Sequence, residues 1–177
     1  MTRSIRLIPL KCIQCQAPLP AKADEIAWRC TTCGAGQRLG EDKLLPLDIH
    51  FAEAQGQAWR PYWVFEGSVT IVRRQTQRGS GRGFDWSKVK HWWLPAFTLK
   101  IEQAQQIAVQ LTRTQPVMSS VPTPPGVAIT GCTLSPEDAR KLAEFVVLSL
   151  EAGQPDWLQS IDFRLDLGQP VLWMLSQ

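Results

Sequence analysis

The chain is poor in the residues and patterns that carry most enzyme chemistry. Histidine occurs only at His50 and His91, and there is no nucleophile-elbow serine, no P-loop and no dinucleotide fingerprint. Gly79-Ser80-Gly81-Arg82-Gly83 is glycine-rich, but no helix start follows it, so it lacks the context of a phosphate cradle. These absences point away from catalysis and leave an enzyme with an unrecognised site as the weakest of three functional readings. No apolar run approaches the roughly 18 residues of a membrane span. Met1 to Leu10 carries Arg3 and Arg6 without a continuous apolar segment or a small-residue cleavage site. No signal peptide is therefore expected, and the cytoplasm is the expected compartment.

What is present suits a folded chain: 177 residues, 44% hydrophobic and 20% charged. The formal net charge of +3 conceals an asymmetry, because residues 1–100 carry 15 Lys/Arg against 8 Asp/Glu and residues 101–177 carry 4 against 8. Oppositely charged halves can attract each other within one molecule, so the imbalance is a weak argument for an anionic partner.

Four of the five cysteines form two pairs, Cys12-Ile13-Gln14-Cys15 and Cys30-Thr31-Thr32-Cys33, separated by fourteen residues. A two-residue gap lets both thiolates of a pair reach one ion from a tight turn, and two such turns supply a tetrahedral ligand set. Gly34 follows the second pair, where the chain often needs a positive φ. Alternating apolar residues lead into each pair, Ile5 and Leu7 before the first and Ile26 and Trp28 before the second, which reads as a strand feeding each knuckle. Disulfides are disfavoured without a secretory signal, and a thioredoxin-like dithiol needs one such pair at a helix start. Four thiolates also suit iron. The expectation is a structural Zn2+ on Cys12, Cys15, Cys30 and Cys33, contributing on the order of 10 kcal/mol to a segment with few apolar residues. Cys132 has no Cys or His beside it and reads as an inert buried thiol.

From about Met1 to Gly40 the chain resembles a zinc ribbon. The resemblance implies a metal-stapled module without implying a task. The whole chain also resembles a class of uncharacterised bacterial proteins with an N-terminal ribbon and an aromatic-rich α+β remainder. The expected division is a ribbon over 1–42 and an α+β domain over 43–177.

Beyond the ribbon, Leu44 to Phe51 alternates enough for a strand, and Ala58 to Val72 reads as a long one, bent at Gly67. Trp59-x-Pro61-x-Trp63-x-Phe65 and Trp93-x-Pro95-x-Phe97-x-Leu99 repeat one pattern, suggesting two related strand starts whose rings share a core. Glu102 to Gln115 has helical apolar spacing. Ser135-Pro136-Glu137-Asp138 is a helix start, and the stripe Ala139, Leu142, Ala143, Val146, Val147, Leu150 runs to a stop at Gly153. Ile161 to Leu167 alternates, Gly168-Gln169 reads as a tight turn and Val171 to Leu175 as the returning strand. The expected fold is α+β: an N-terminal zinc ribbon, then a mainly antiparallel sheet with two helices on one face.

Segment 73–90 holds six basic residues, Arg73, Arg74, Arg78, Arg82, Lys88 and Lys90, and one acid. Its Gly/Ser centre reads as a flexible loop. Arginines could meet phosphates while Phe84, Trp86 and Trp92 stack on bases, the best case for nucleic-acid binding. A soluble hairpin tip explains the same charges. The tryptophans, paired in His91-Trp92-Trp93, read as core with an exposed docking patch as the rival. The leading expectation is a non-enzymatic zinc protein acting as a protein-interaction or adaptor module, with nucleic-acid binding as the alternative.

Overall fold

A computed structural model describes residues 7–53, 59–79, 81–123 and 126–176. Arg3, Ile5, Arg6, Ala58 and Ser80, all used above, lie outside the described residues. The fold is α+β, as expected. A three-stranded antiparallel sheet has the order β1 (Ala27–Arg29), β2 (Gly36–Leu39), β3 (Leu44–Pro46). A five-stranded mixed sheet uses β4 (Ile49–Ala52), β5 (Trp59–Thr76), β6 (His91–Pro95), β7 (Ser120–Val121) and β8 (Leu158–Ser176), in the order β6-β5-β8-β4-β7. The helices are α1 (Ile101–Thr114) and α2 (Pro136–Ala152). No helix among the described residues is long and apolar enough to cross a membrane.

Two compact units form. One comprises 1–61, 118–133 and 171–177; the other comprises 62–117 and 134–170.

In the first unit the chain enters β1 as Ile26 and Trp28 predict, but Lys11 and Pro18 form only an isolated bridge around the first cysteine pair. The expected strand 44–51 is two strands. Leu45 pairs with Arg38 in the small sheet, whereas Ile49 to Phe51 pair in parallel with Leu172 to Met174. Leu47 and Asp48 lie between them, Leu47 N–H donating to the Gly36 carbonyl at 3.0 Å and the Asp48 carbonyl accepting from Leu172 N–H at 3.0 Å. The apolar core around the cysteines is small: Leu19, Trp28 and Leu44 with Cys12 and Cys30.

In the second unit Tyr62 to Glu66 of β5 pair antiparallel with Pro95 to His91 of β6. On the other side β5 neighbours β8, and just beyond their ends Gln77 N–H donates to Trp157 at 2.9 Å. A Cβ on Gly67 would lie 2.2 Å from the Asp166 carbonyl, so only glycine permits this approach. α1 and α2 pack on β6 and on each other. Ser135 caps α2 by accepting the Asp138 N–H at 3.0 Å, and the predicted apolar stripe is buried.

Two expectations fail for identifiable reasons. Residues 158–176 form one strand rather than a hairpin, because Gly168 does not take the positive φ that a glycine-first turn requires. The repeated Trp-x-Pro pattern does not mark two strand starts: Trp59 begins β5, but Trp93 lies inside β6 and Pro95 ends it. The rings are mostly core. Trp63 and Trp92 have 0% exposure and Trp93 3%, the Trp63 indole donating to the Leu134 carbonyl at 2.7 Å; Trp157, in contrast, is 76% exposed.

Candidate metal centre

Each cysteine pair sits on a tight backbone turn. In the first, Gln16 N–H donates to Cys12 at 2.9 Å and Cys12 N–H to Ala17 at 2.8 Å. The second repeats the pattern: Gly34 N–H donates to Cys30 at 2.9 Å, Cys30 N–H to Ala35 at 2.8 Å, and Gly34 takes φ +80°. Such turns aim backbone N–H groups at sulfur. They also bring the sulfurs together across the sequence. Cys12 Sγ lies 3.5 Å from Cys33 Sγ, Cys15 Sγ lies 3.5 Å from Cys30 Sγ, and all four lie within 4.8 Å of one another. A tetrahedral ion with bonds of about 2.3 Å needs sulfurs roughly 3.8 Å apart. The four cysteines therefore could hold a metal ion such as zinc.

Their acidities divide by environment. Burial opposes ionisation of Cys12, but the Cys15 and Gln14 N–H groups and the Cys33 and Cys15 thiols outweigh it, bringing its pKa down to about 6. Cys30 is lowered in the same way, burial being overcome by the Cys33 and Thr32 N–H groups and the Cys15 thiol. At Cys15 the Ala17 N–H favours the thiolate, yet burial and the thiols of Cys30, Cys33 and Cys12 prevail and push it up to about 12. Cys33 is raised despite the Ala35 N–H, by burial and Cys12. The four thiols titrate as one coupled group, and binding of a divalent ion would draw off their protons.

Gln37 was invisible as a site residue. Opposite Trp28 in the β1–β2 register, it is fully buried, and its Oε1 accepts the Ile13 N–H at 3.0 Å inside the first turn. Its Nε2, like the Trp28 Nε1, is buried without a hydrogen-bond acceptor among the protein atoms described. Buried N–H groups beside a cysteine cluster suit the negative charge that four thiolates carry on a divalent ion. Residues 118–133 fasten to the second turn. Gly126 N–H donates to Thr31 at 2.8 Å, and Arg29 donates to Val127 at 2.8 Å and Thr123 at 2.7 Å. Cys132 is not a ligand; it is fully buried, and burial, then the Glu25 charge, pushes its pKa up to about 12.

The six basic residues of 73–90 do not form one loop. Arg73 and Arg74 belong to β5. Arg74 Nε donates to the fully buried Glu151 at 2.8 Å, and its Nη1 donates to Gly81 at 2.7 Å. Glu151 also accepts the Phe84 N–H at 3.2 Å and the Trp86 indole N–H at 2.6 Å, while Asp156 accepts the N–H groups of Arg78 and Gly81, each at 3.2 Å. Phe84 packs edge-on to Trp86, which stacks on buried Trp92 at 5.8 Å. Arg73, Arg78, Arg82, Lys88 and Lys90 remain exposed. His91 is half-buried at the start of edge strand β6, 4.0 Å from Glu66. Comparison with protein-family models, with curated proteins and with solved structures finds no match to this chain.

Proposed function

We propose that this is a cytoplasmic zinc-ribbon protein whose α+β part recognises another protein and performs no catalysis. The observation that carries the reading is the closed set of four sulfurs. Four cysteines complete a tetrahedral ion and leave no coordination position for a substrate, as in structural rather than catalytic zinc sites. The ion supplies a cross-link between the two turns, beside the apolar core formed by Leu19, Trp28 and Leu44 with Ile8, Ala17, Ala21 and Ala35. Metal analysis of the purified chain tests the first half: one zinc per chain, lost with the fold on chelation, is expected. A fully folded, metal-free protein overturns it. Affinity capture with the zinc-loaded chain tests the second half, and failure to retain any protein counts against recognition.

Nucleic-acid binding through Arg73, Arg78, Arg82, Lys88 and Lys90 is the second reading, favoured by their common exposure. Against it, Arg74 is spent on Glu151, and Trp92 is buried with Trp86 stacked on it. Single-strand affinity measured against salt decides: a flat log–log slope removes this reading.

A further inference from the structure

One edge of β5 is only half used. β6 pairs with Tyr62 to Glu66, and the last backbone contact on that side is Gly67 N–H donating to the Lys90 carbonyl at 3.0 Å. The Gly67 carbonyl faces the same side, where it accepts the Trp92 indole N–H at 3.4 Å. β5 nevertheless continues to Thr76. Backbone groups of alternate residues point to alternate edges of a strand, and exposure alternates without interruption from Glu66 to Val72. The N–H and C=O groups of Val69 and Ile71 therefore point the same way as those of Gly67. No strand among the described residues pairs with them there. Beside this edge lies an open cleft of about 650 Å³, walled by Glu66 to Val69 of β5 on one side and by Trp86, Lys90 and His91 on the other.

Charge selects the occupant. Arg73 stands exposed at the far end of the open stretch and Lys90 at the near end, where Lys88 is paired with Asp85 at 3.4 Å and exposed Glu66 lies 4.0 Å from His91. We propose that the edge from Gly67 to Arg73 docks an acidic extended segment of another protein, which adds as a strand in line with β6. Val69 and Ile71 supply the main-chain hydrogen bonds, the cleft takes alternate side chains, and Arg73 and Lys90 meet carboxylates. This rests on the protein-recognition reading above and specifies its site and the partner's chemistry.

The test uses the full zinc-loaded chain and a pool of nine-residue peptides with Asp or Glu at alternate positions and all residues elsewhere. Enrichment over a Lys/Arg pool is expected, with amide shifts at Val69 and Ile71 on binding of the best-enriched peptide. Arg73→Glu and Lys90→Glu should each weaken that peptide at least about tenfold. N-methylation of one alternate set of its residues should abolish binding, and methylation of the other set should be tolerated, because only one edge of an added strand faces β5. No enrichment, equal tolerance of both methylated forms, or tighter binding of a single-stranded oligonucleotide that displaces the peptide overturns the proposal. Enriched peptides that shift amides elsewhere remove the edge and leave protein recognition standing; loss of both requires that affinity capture fail as well.

Discussion

The Gln37 side-chain oxygen accepts the Ile13 N–H at 3.0 Å across 24 residues of sequence, tying the centre of β2 to the first cysteine turn. Replacing Gln37 by Glu keeps an acceptor near Ile13 but exchanges a buried N–H donor for a negative oxygen beside four thiolates. Zinc affinity measured by chelator competition should fall about 10–100-fold. Gln37→Met removes the Ile13 bond without adding charge and should lose less affinity. If Gln37→Met were the worse of the two, the amide would act on the turn alone.

Substituting Cys15 by Ser removes one of the four proposed ligands and should leave a chain that releases zinc to a mild chelator. Because Arg29 and Thr31 anchor residues 118–133 by hydrogen bonds, that segment should lose amide protection together with the cysteine turns. Hydrogen exchange of the zinc-loaded and chelated forms measures this. Unchanged protection of Val127 after chelation would show that the turns hold without metal.

Glu151 and Arg74 are a buried pair, with side-chain exposures of 0% and 12%. Glu151→Ala strands the guanidinium and the Trp86 indole N–H, and a loss of roughly 3–5 kcal/mol in a urea titration is expected. The same variant frees Phe84 N–H, so protease cleavage within 81–90 should accelerate.

Cys132 ties stability to alkaline pH. Its folded pKa of about 12 lies above its ordinary value of 9.0, so above pH 9 the unfolded chain gives up a proton that the folded chain keeps. Stability should therefore fall as pH rises from about 9 to 12, by up to roughly 1.4 kcal/mol per unit from this group. The slope difference between the parent and Cys132→Ala isolates it; identical slopes would show that Cys132 reaches solvent.

Asp138 acts at the other end of the scale. The Lys141 and Ser135 hydrogen bonds hold its carboxyl below the ordinary value of 3.8. A depressed carboxyl contributes stability above its unfolded pKa, and that contribution is lost as pH falls through the folded pKa. Asp138→Asn should flatten the acid limb of a thermal-melt profile. Ser135→Ala should cost about 1 kcal/mol at neutral pH by removing the α2 cap.

Local chemistry made the cysteine cluster and both helices legible. C-x2-C spacing, the Ser135-Pro136 cap and the apolar stripe of α2 each act within a few residues, so they read correctly without knowledge of neighbours. The same reasoning misread Gly168-Gln169. A turn signal there was overruled because 158–176 has strand partners on both sides of it, β5 before and β4 after.

The residues alone determined which atoms could grip a metal and which stripes would be buried, since charge, spacing and apolar period are properties of the chain. Only the tertiary structure decided that Arg74 would be consumed by Glu151, that Gln37 would hold Ile13, and that Val69 and Ile71 would face an unpaired edge. The reason is physical: an ion pair 77 residues apart and the pairing of a strand edge are settled by which surfaces meet on folding, and no local pattern encodes that meeting.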